Sequence, residues 1–421
     1  MKEKRRMSLD IERSANSGQS FCSPSPPGPR PSSLFHVMAK PTGAACNLDC
    51  SYCFFLKKDT LYPGSRFRMS DEVMEQYVRQ TIAAQRGPEV TIAWQGGEPT
   101  LMGLDFYRRA MAVEKKYAKP GQTIENTFQT NGILLDDEWC EFLCENRFLV
   151  GISLDGPRSL HDAYRRDKGG QPTFDRVVRA VRRMQEHQVE FNVLCTVNAV
   201  NCRQPLDVYR FFRDELGARY LQFIPIVEKE EGREAGDEGV KITDRSVSPE
   251  QYGRFLIEIF DEWVRRDVGS TFVPFFDAVL ASYFYGRSSL CVLRPVCGDA
   301  LALEHNGDLY SCDHFVEPNH RLGNILETPL TELAWSEKQR AFGQAKSTAL
   351  PRACRECNWL FTCYGECPKN RVLKTPDGEP GLNWLCAGLK AFFAHTERPM
   401  REMADLLKSG RYADEIMIRK P

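Results

Sequence analysis

Three thiols within eight residues, Cys46-x3-Cys50-x2-Cys53, are the strongest chemical signal in the chain. A structural zinc site takes four ligands in a tetrahedron, so three cysteines in one tight loop are one short. The same three can hold three irons of a [4Fe–4S] cube and leave the fourth iron open to the N and O donors of a small molecule. The competing reading is a zinc knuckle completed from elsewhere, but none of the seven histidines has a matching spacing. A second concentration of thiols lies in the last third: Cys291, Cys297, Cys312, Cys354, Cys357, Cys363, Cys367 and Cys386. Eight thiolates divide into two sets of four, which suits two fully ligated cubes. Two zinc sites of the ribbon type would use the same number, and spacing does not separate the two. Of the five other cysteines, Cys140 and Cys144 are i, i+4 on a helical pattern and Cys195 is inside a strand, which reads as structural, and Cys22 stands alone near the N-terminus.

These groups need elements to position them. From Leu34 onward, β-prone runs alternate with amphipathic stretches. The pattern predicts strands at 34–39, 90–94, 123–129, 148–154, 190–197 and 219–226, with helices at 71–86, 104–117, 136–147, 173–188 and 203–215. Ser70 before Asp71-Glu72 reads as a helix N-cap. Alternation of this kind argues for parallel β/α units, as an incomplete barrel or an open doubly wound sheet. Chemistry belongs at the C-terminal ends of such strands. There stand Cys46 to Cys53, Gln95-Gly96-Gly97-Glu98-Pro99, Thr130-Asn131-Gly132, Ser153-Leu154-Asp155-Gly156 and Pro225-Ile226-Val227. Beyond a helix at 249–266 the rhythm stops near Ser288, and a cysteine-rich, loop-rich region follows that needs metal staples to hold it. A last helix is expected at 385–408. The expected organisation is a disordered tail over 1–33, a barrel over 34–230, an acidic loop and linker helix over 231–287, a cluster domain over 288–390, and a C-terminal helix and tail over 391–421.

Composition narrows the function classes. Fifty-six basic and 57 acidic residues in 421 leave a net charge of -1, which speaks against a strongly basic nucleic-acid binder. No apolar run approaches the roughly 18–20 residues of a membrane span, and the charged start lacks the apolar core of a secretory signal. The expected compartment is the cytoplasm, where 16 cysteines point to metal or redox chemistry before disulfides.

Cys-x3-Cys-x2-Cys with Tyr52 before the last cysteine resembles the radical S-adenosylmethionine (SAM) enzymes. Gln95-Gly96-Gly97-Glu98-Pro99 matches that family's GGEP motif. The resemblance implies an α/β fold, a partial (β/α)6 barrel, whose open iron is chelated by SAM. It assigns SAM contacts to Tyr52, Gly96, Gly97, Glu98, Ser153, Arg165 and Val227: Glu98 towards the amino group, Ser153 and Asp155 towards the ribose, Arg165 towards the carboxylate, and Val227 under the adenine. On this reading Gly97 and Ser153 touch SAM and not the cube, so changing either is expected to weaken SAM binding and leave the iron in place.

Cys297 through Cys386, with Gly307 between Cys297 and Cys312, resembles the SPASM auxiliary-cluster domain, with Cys291 as an eighth ligand. By that resemblance Cys291, Cys297, Cys312 and Cys367 hold one [4Fe–4S] cluster, and Cys354, Cys357, Cys363 and Cys386 hold another, making three in the chain. Phrases such as Met38-Ala39-Lys40-Pro41-Thr42-Gly43 and Gln222-Phe223-Ile224-Pro225 extend the likeness to the anaerobic sulfatase-maturating branch. That branch implies oxidation of a sulfatase Cys or Ser, within an unfolded Cys/Ser-x-Pro/Ala-x-Arg segment, to Cα-formylglycine. Asp313 would be the base, one electron would leave through the nearer auxiliary cluster, and a flavodoxin or ferredoxin would serve as reductant to a monomeric enzyme. Phe55 stands where some relatives carry an aromatic hydroxyl. Two rivals are a SPASM maturase that forms crosslinks in small peptides, and a zinc-stabilised binding module without redox chemistry.

Overall fold

Six short parallel strands carry the expected rhythm: β1 (His36–Lys40), β2 (Glu89–Trp94), β3 (Thr123–Thr130), β4 (Leu149–Ser153), β5 (Phe191–Val197) and β6 (Leu221–Pro225). They come from a computed structural model that describes residues 35–230 and 241–418. The expected tail over 1–33, with Cys22, and the acidic stretch over 231–240 lie outside the described residues.

Between the strands run α1 (Asp71–Ala84), α2 (Leu104–Tyr117), α3 (Asp137–Glu145) and α4 (Phe174–Glu186). Their starts are set by side chains that satisfy otherwise orphaned amides. Ser70 accepts from the Val73 N–H, and Asp136 accepts from the Trp139 N–H. The stretch expected as one helix over 203–215 is broken. Pro205, with no N–H to donate, opens α5 (Pro205–Arg210), which widens into a π-turn over Phe211–Glu215 and buries both Phe211 and Phe212.

The six strands neighbour one another in chain order, β6-β5-β4-β3-β2-β1. A doubly wound sheet reverses its order at a switch point. Sequential order with right-handed crossovers instead puts every helix on one side, as in an incomplete barrel. The core is continuous, with Trp94, Tyr107, Phe128 and Phe148 fully buried between sheet and helices.

The cysteine-rich region joins the same sheet. β7 (Ala300–Glu304) pairs parallel to β1, with Lys40 opposite Glu304. β8 (Asp308–Tyr310) and β9 (Arg321–Asn324) then continue antiparallel, giving nine strands in the sheet. α6 (Pro249–Arg266) and α7 (Pro274–Tyr285) follow the barrel, and α8 (Glu337–Thr348) follows β9. The final helix α9 (Cys386–Lys408) returns to pack on α6. Those two helices touch through Gly253 and Gly388, where an added Cβ on Gly388 would meet the Pro249 carbonyl at 1.8 Å.

Candidate active site at the strand ends

β1 ends in Lys40, and the chain turns at once: the Gly43 N–H donates to the Lys40 carbonyl and Ala45 N–H to Thr42. The thiols of Cys46, Cys50 and Cys53 on the following loop lie close enough to act on one another electrostatically. Burial pushes the Cys46 thiol up to about 12 and the Cys50 thiol up to about 11, with Arg165 opposing the second. Cys46 Sγ accepts from the Leu48 N–H at 3.3 Å and faces the Asn131 amide at the end of β3.

The two glycines after β2 grip this loop. Gly97 N–H donates to the Gly43 carbonyl at 2.7 Å and Glu98 N–H to Ala45 at 2.9 Å. A Cβ on Gly97 would stand 2.0 Å from the Ala45 carbonyl oxygen. The missing side chain of Gly97 thus makes room for the cysteine loop itself, a role the sequence did not suggest beside the expected SAM contact. Gly96, at φ 137°, occupies backbone space that favours glycine.

Glu98 is fully buried. One oxygen accepts from the Thr100 N–H and hydroxyl and from the Thr130 hydroxyl, and the other from Asn131 N–H at 2.8 Å. Burial raises its proton affinity and these donors oppose it. Asp155, also fully buried, is equally engaged: Tyr52 donates at 2.5 Å, Arg165 Nε at 3.0 Å and Thr196 N–H at 3.0 Å. The sequence reading sent Asp155 to a ribose and Arg165 to a carboxylate; here each is the other's ion pair. Against the cost of burial, Arg165 and His161 hold Asp155 below the usual carboxylate range. His161 has no exposure, accepts from Asp155 N–H, and is kept neutral by burial, with a pKa of about 4. Ser153 accepts from the Gln129 amide at 3.1 Å, and Val227 is buried just past β6.

Asp313 directly follows Cys312 and forms an ion pair with Lys40 at the end of β1. Lys40 is 1% exposed and lies 4.3 Å over the Phe55 ring. Burial works against ionisation of Asp313, but the Lys40 ammonium, with His314 and Lys369 near, holds its carboxyl below the usual range. His314 Nδ1 lies 3.5 Å from Cys367 Sγ, and Lys369 stands over the Phe54 ring. Sequence reasoning missed Lys40 as a partner. Its signal is a lysine that closes a strand directly after the apolar run Val37-Met38-Ala39.

The eight later thiols fall into two groups. Cys312 is within electrostatic reach of Cys291 and Cys297, and Cys367 of Cys312 and Cys291. Cys354, Cys357, Cys363 and Cys386 line one cavity, closed by Trp359 and Phe393. Among the described residues no three His, Cys, Asp or Glu side chains converge as ligands of a single ion do. Cubane thiolates each bind a different iron, so they stand further apart than the four ligands of one zinc.

An incomplete β/α barrel with three thiols after its first strand, joined to two four-thiol groups, defines an iron–sulfur enzyme of the radical SAM class. The chain matches the model of the Radical SAM superfamily over residues 41–211 and that of an iron-sulfur cluster-binding domain over 291–358. A serine-type anaerobic sulfatase-maturating enzyme of Bacteroides thetaiotaomicron is 47% identical over 392 residues, 91% of this chain and 94% of the relative. A cysteine-type enzyme of Clostridium perfringens is 34% identical over 378 residues, 88% and 99% of the two chains. The solved structure of native anSMEcpe with bound AdoMet aligns with TM-score 0.79 and 33% identity over 88% of this chain and 99% of that one. This chain belongs to the anaerobic sulfatase-maturating enzymes, a family of radical SAM oxidoreductases.

Proposed function

We propose that this chain oxidises a Cys or Ser in an unfolded sulfatase segment, Cys/Ser-x-Pro/Ala-x-Arg, to Cα-formylglycine, with Asp313 as the base. The observation that carries the assignment of the base is the Lys40–Asp313 ion pair. It places an ionised carboxylate beside the end of β1, from which the Cys46–Cys53 loop departs, and next to the Cys312 thiol. Support for the substrate comes from the family and from anSMEcpe, solved with AdoMet and the Cp18Cys peptide.

Cys46, Cys50 and Cys53 would hold the cluster that takes SAM, and the two together would supply the radical chemistry that draws a hydrogen atom from the substrate Cβ. Ser153 and Val227 face the cofactor. Tyr52, Glu98 and Arg165, already engaged by protein partners, brace the walls around it, while Gly96 and Gly97 keep the cysteine loop close. Asp313 Oδ accepts the proton of the substrate thiol or hydroxyl, and Lys40 keeps that oxygen aimed and ionised beforehand. Overall the substrate gives up one hydrogen atom, one proton and one electron; Ser then stands as the aldehyde, and Cys as a thioaldehyde that water converts to the aldehyde with release of hydrogen sulfide. Cys291, Cys297, Cys312 and Cys367, and separately Cys354, Cys357, Cys363 and Cys386, would hold two further clusters able to take that electron. A monomer served by a flavodoxin or ferredoxin completes the reading.

Asp313→Asn keeps the shape and cannot take a proton at neutral pH. It should still form 5'-deoxyadenosine, while aldehyde-bearing peptide falls roughly 100-fold or more, the scale of losing a positioned base. Mass spectrometry of both products, on Ser- and Cys-bearing peptides, reads this directly. Undiminished product would remove Asp313 from the role. Iron analysis separates the zinc alternative, because three cubes require about 12 irons per chain.

A further inference from the structure

Lys346 on α8 is 1% exposed. Its ammonium donates to the carbonyls of Cys291 at 2.6 Å and Val292 at 2.9 Å. Among the described residues no carboxylate lies within ion-pair distance of it. Glu366, which acts on it through space, is taken up by the amides of Asn370 and Asn383. An ammonium buried without a counter-charge is expensive, and such groups are paired in stable proteins. The thiols of Cys297, Cys291 and Cys367 lie within electrostatic reach.

We propose that Lys346 is the built-in counter-cation of the Cys291–Cys297–Cys312–Cys367 site and biases a cluster held there towards its reduced state. The inference rests on the reading that these four thiols hold a cluster. A cube with four thiolates is an anion, and each added electron makes it more negative. A fixed cation in a low-dielectric interior stabilises the more negative state, which raises the reduction potential. Among the described residues the other site has no equally buried ammonium. Lys390 and Arg355 beside that site are exposed, where solvent screens them, and Arg371, which acts on Cys354 and Cys363 there and on Cys367 of this one, is only half-buried. Lys346 therefore makes the two sites unequal. The favoured acceptor is the one whose Cys312 carries Asp313, so the electron is taken up next to where the proton is taken.

The test compares Lys346→Gln, which keeps hydrogen-bond donors for both carbonyls and loses the charge, with Lys346→Arg, which keeps the charge. Both are built into a full chain bearing Cys46→Ala, Cys50→Ala and Cys53→Ala, so that only auxiliary signals remain. The readout is a redox titration followed by electron paramagnetic resonance. In Lys346→Gln one transition should move to lower potential by about tenfold in its equilibrium, about 59 mV for one electron. Lys346→Arg should restore it, and the other transition should stay in place. Two unmoved transitions at full iron content would overturn the proposal. If Lys346→Gln loses one cluster and Lys346→Arg retains it, the charge is what the site requires and the proposal stands; if both lose it, the side chain acts by shape and the proposal fails. Iron in the parent, about eight per chain for two cubes, tests the underlying cluster reading separately.

Discussion

Gly97 shows how much of a residue's role depends on what the fold brings against it. Its place after β2 was legible from the Gly-Gly-Glu-Pro run, but what its missing Cβ avoids was not, because Ala45 lies 52 positions earlier in the chain. A valine there would drive a methine carbon to 2.0 Å from the Ala45 carbonyl, so the loop bearing Cys46 must move. Gly97→Val should therefore lose the barrel iron, about four per chain, together with SAM binding. Ser153→Ala, which removes only a hydroxyl bonded to Gln129, should weaken SAM and keep the iron. Iron content and SAM affinity measured on the same samples check this; Gly97→Val with full iron would return the glycine to a pure cofactor role. The pairing of Asp155 with Arg165, and of Lys40 with Asp313, was hidden for the same reason. Sequence shows which charged groups stand at strand ends, and only the fold shows which of them neutralise each other first.

At the scale of elements the sequence was most informative where structure is locally determined. All six strands and the cap at Ser70 follow from alternation and from a side chain that satisfies a nearby amide. The π-turn at 211–215 was not legible, because it is imposed by burying Phe211 and Phe212 together. Nor was the acid inside α2. Glu114 is 6% exposed, with Oε1 unpartnered and Oε2 accepting from Asn126, whose own carbonyl accepts from Trp94 Nε1. Burial raises its pKa from 4.5 to about 7, against the Asn126 bond. A carboxyl with a raised folded-state pKa binds more protons when folded, so stability falls as pH rises between about 4.5 and 7. Glu114→Gln should remove that slope and gain about 1–3 kcal/mol at pH 8. Chemical denaturation at pH 5 and pH 8 measures both. An unchanged pH slope in the variant would mean that Glu114 is already ionised at no cost.

For the whole molecule, the sequence suggested a barrel with a stapled cluster domain following it, because composition changes near Ser288. The pairing of β7 with β1 was invisible in Ala300–Glu304, four apolar residues closed by a glutamate, like many other short runs. That pairing matters to the chemistry, since it sets Asp313, just beyond β8, against Lys40 at the end of β1. It also predicts how the barrel behaves alone. A chain ending at residue 287 would leave the β1 edge open where β7 pairs along all five of its residues. It would also lose α9, whose Leu389, Phe392, Phe393, Met400 and Met403 are at most 1% exposed. At about 1.5–3 kcal/mol for each large buried side chain, the five are worth about 8–15 kcal/mol, as much as the entire stability of a typical domain, about 5–15 kcal/mol. An exposed, apolar strand edge is in addition a template for association. The truncated chain should therefore be recovered as aggregate or as a non-cooperative species, with or without iron at Cys46, Cys50 and Cys53. The full-length chain with Cys291, Cys297, Cys312 and Cys367 replaced by Ala should by contrast stay folded, because β7 and α9 remain. Thermal unfolding followed by circular dichroism, with light scattering on the same samples, separates the two. A truncated chain that is monomeric and unfolds cooperatively would show that the barrel is stable without its seventh strand.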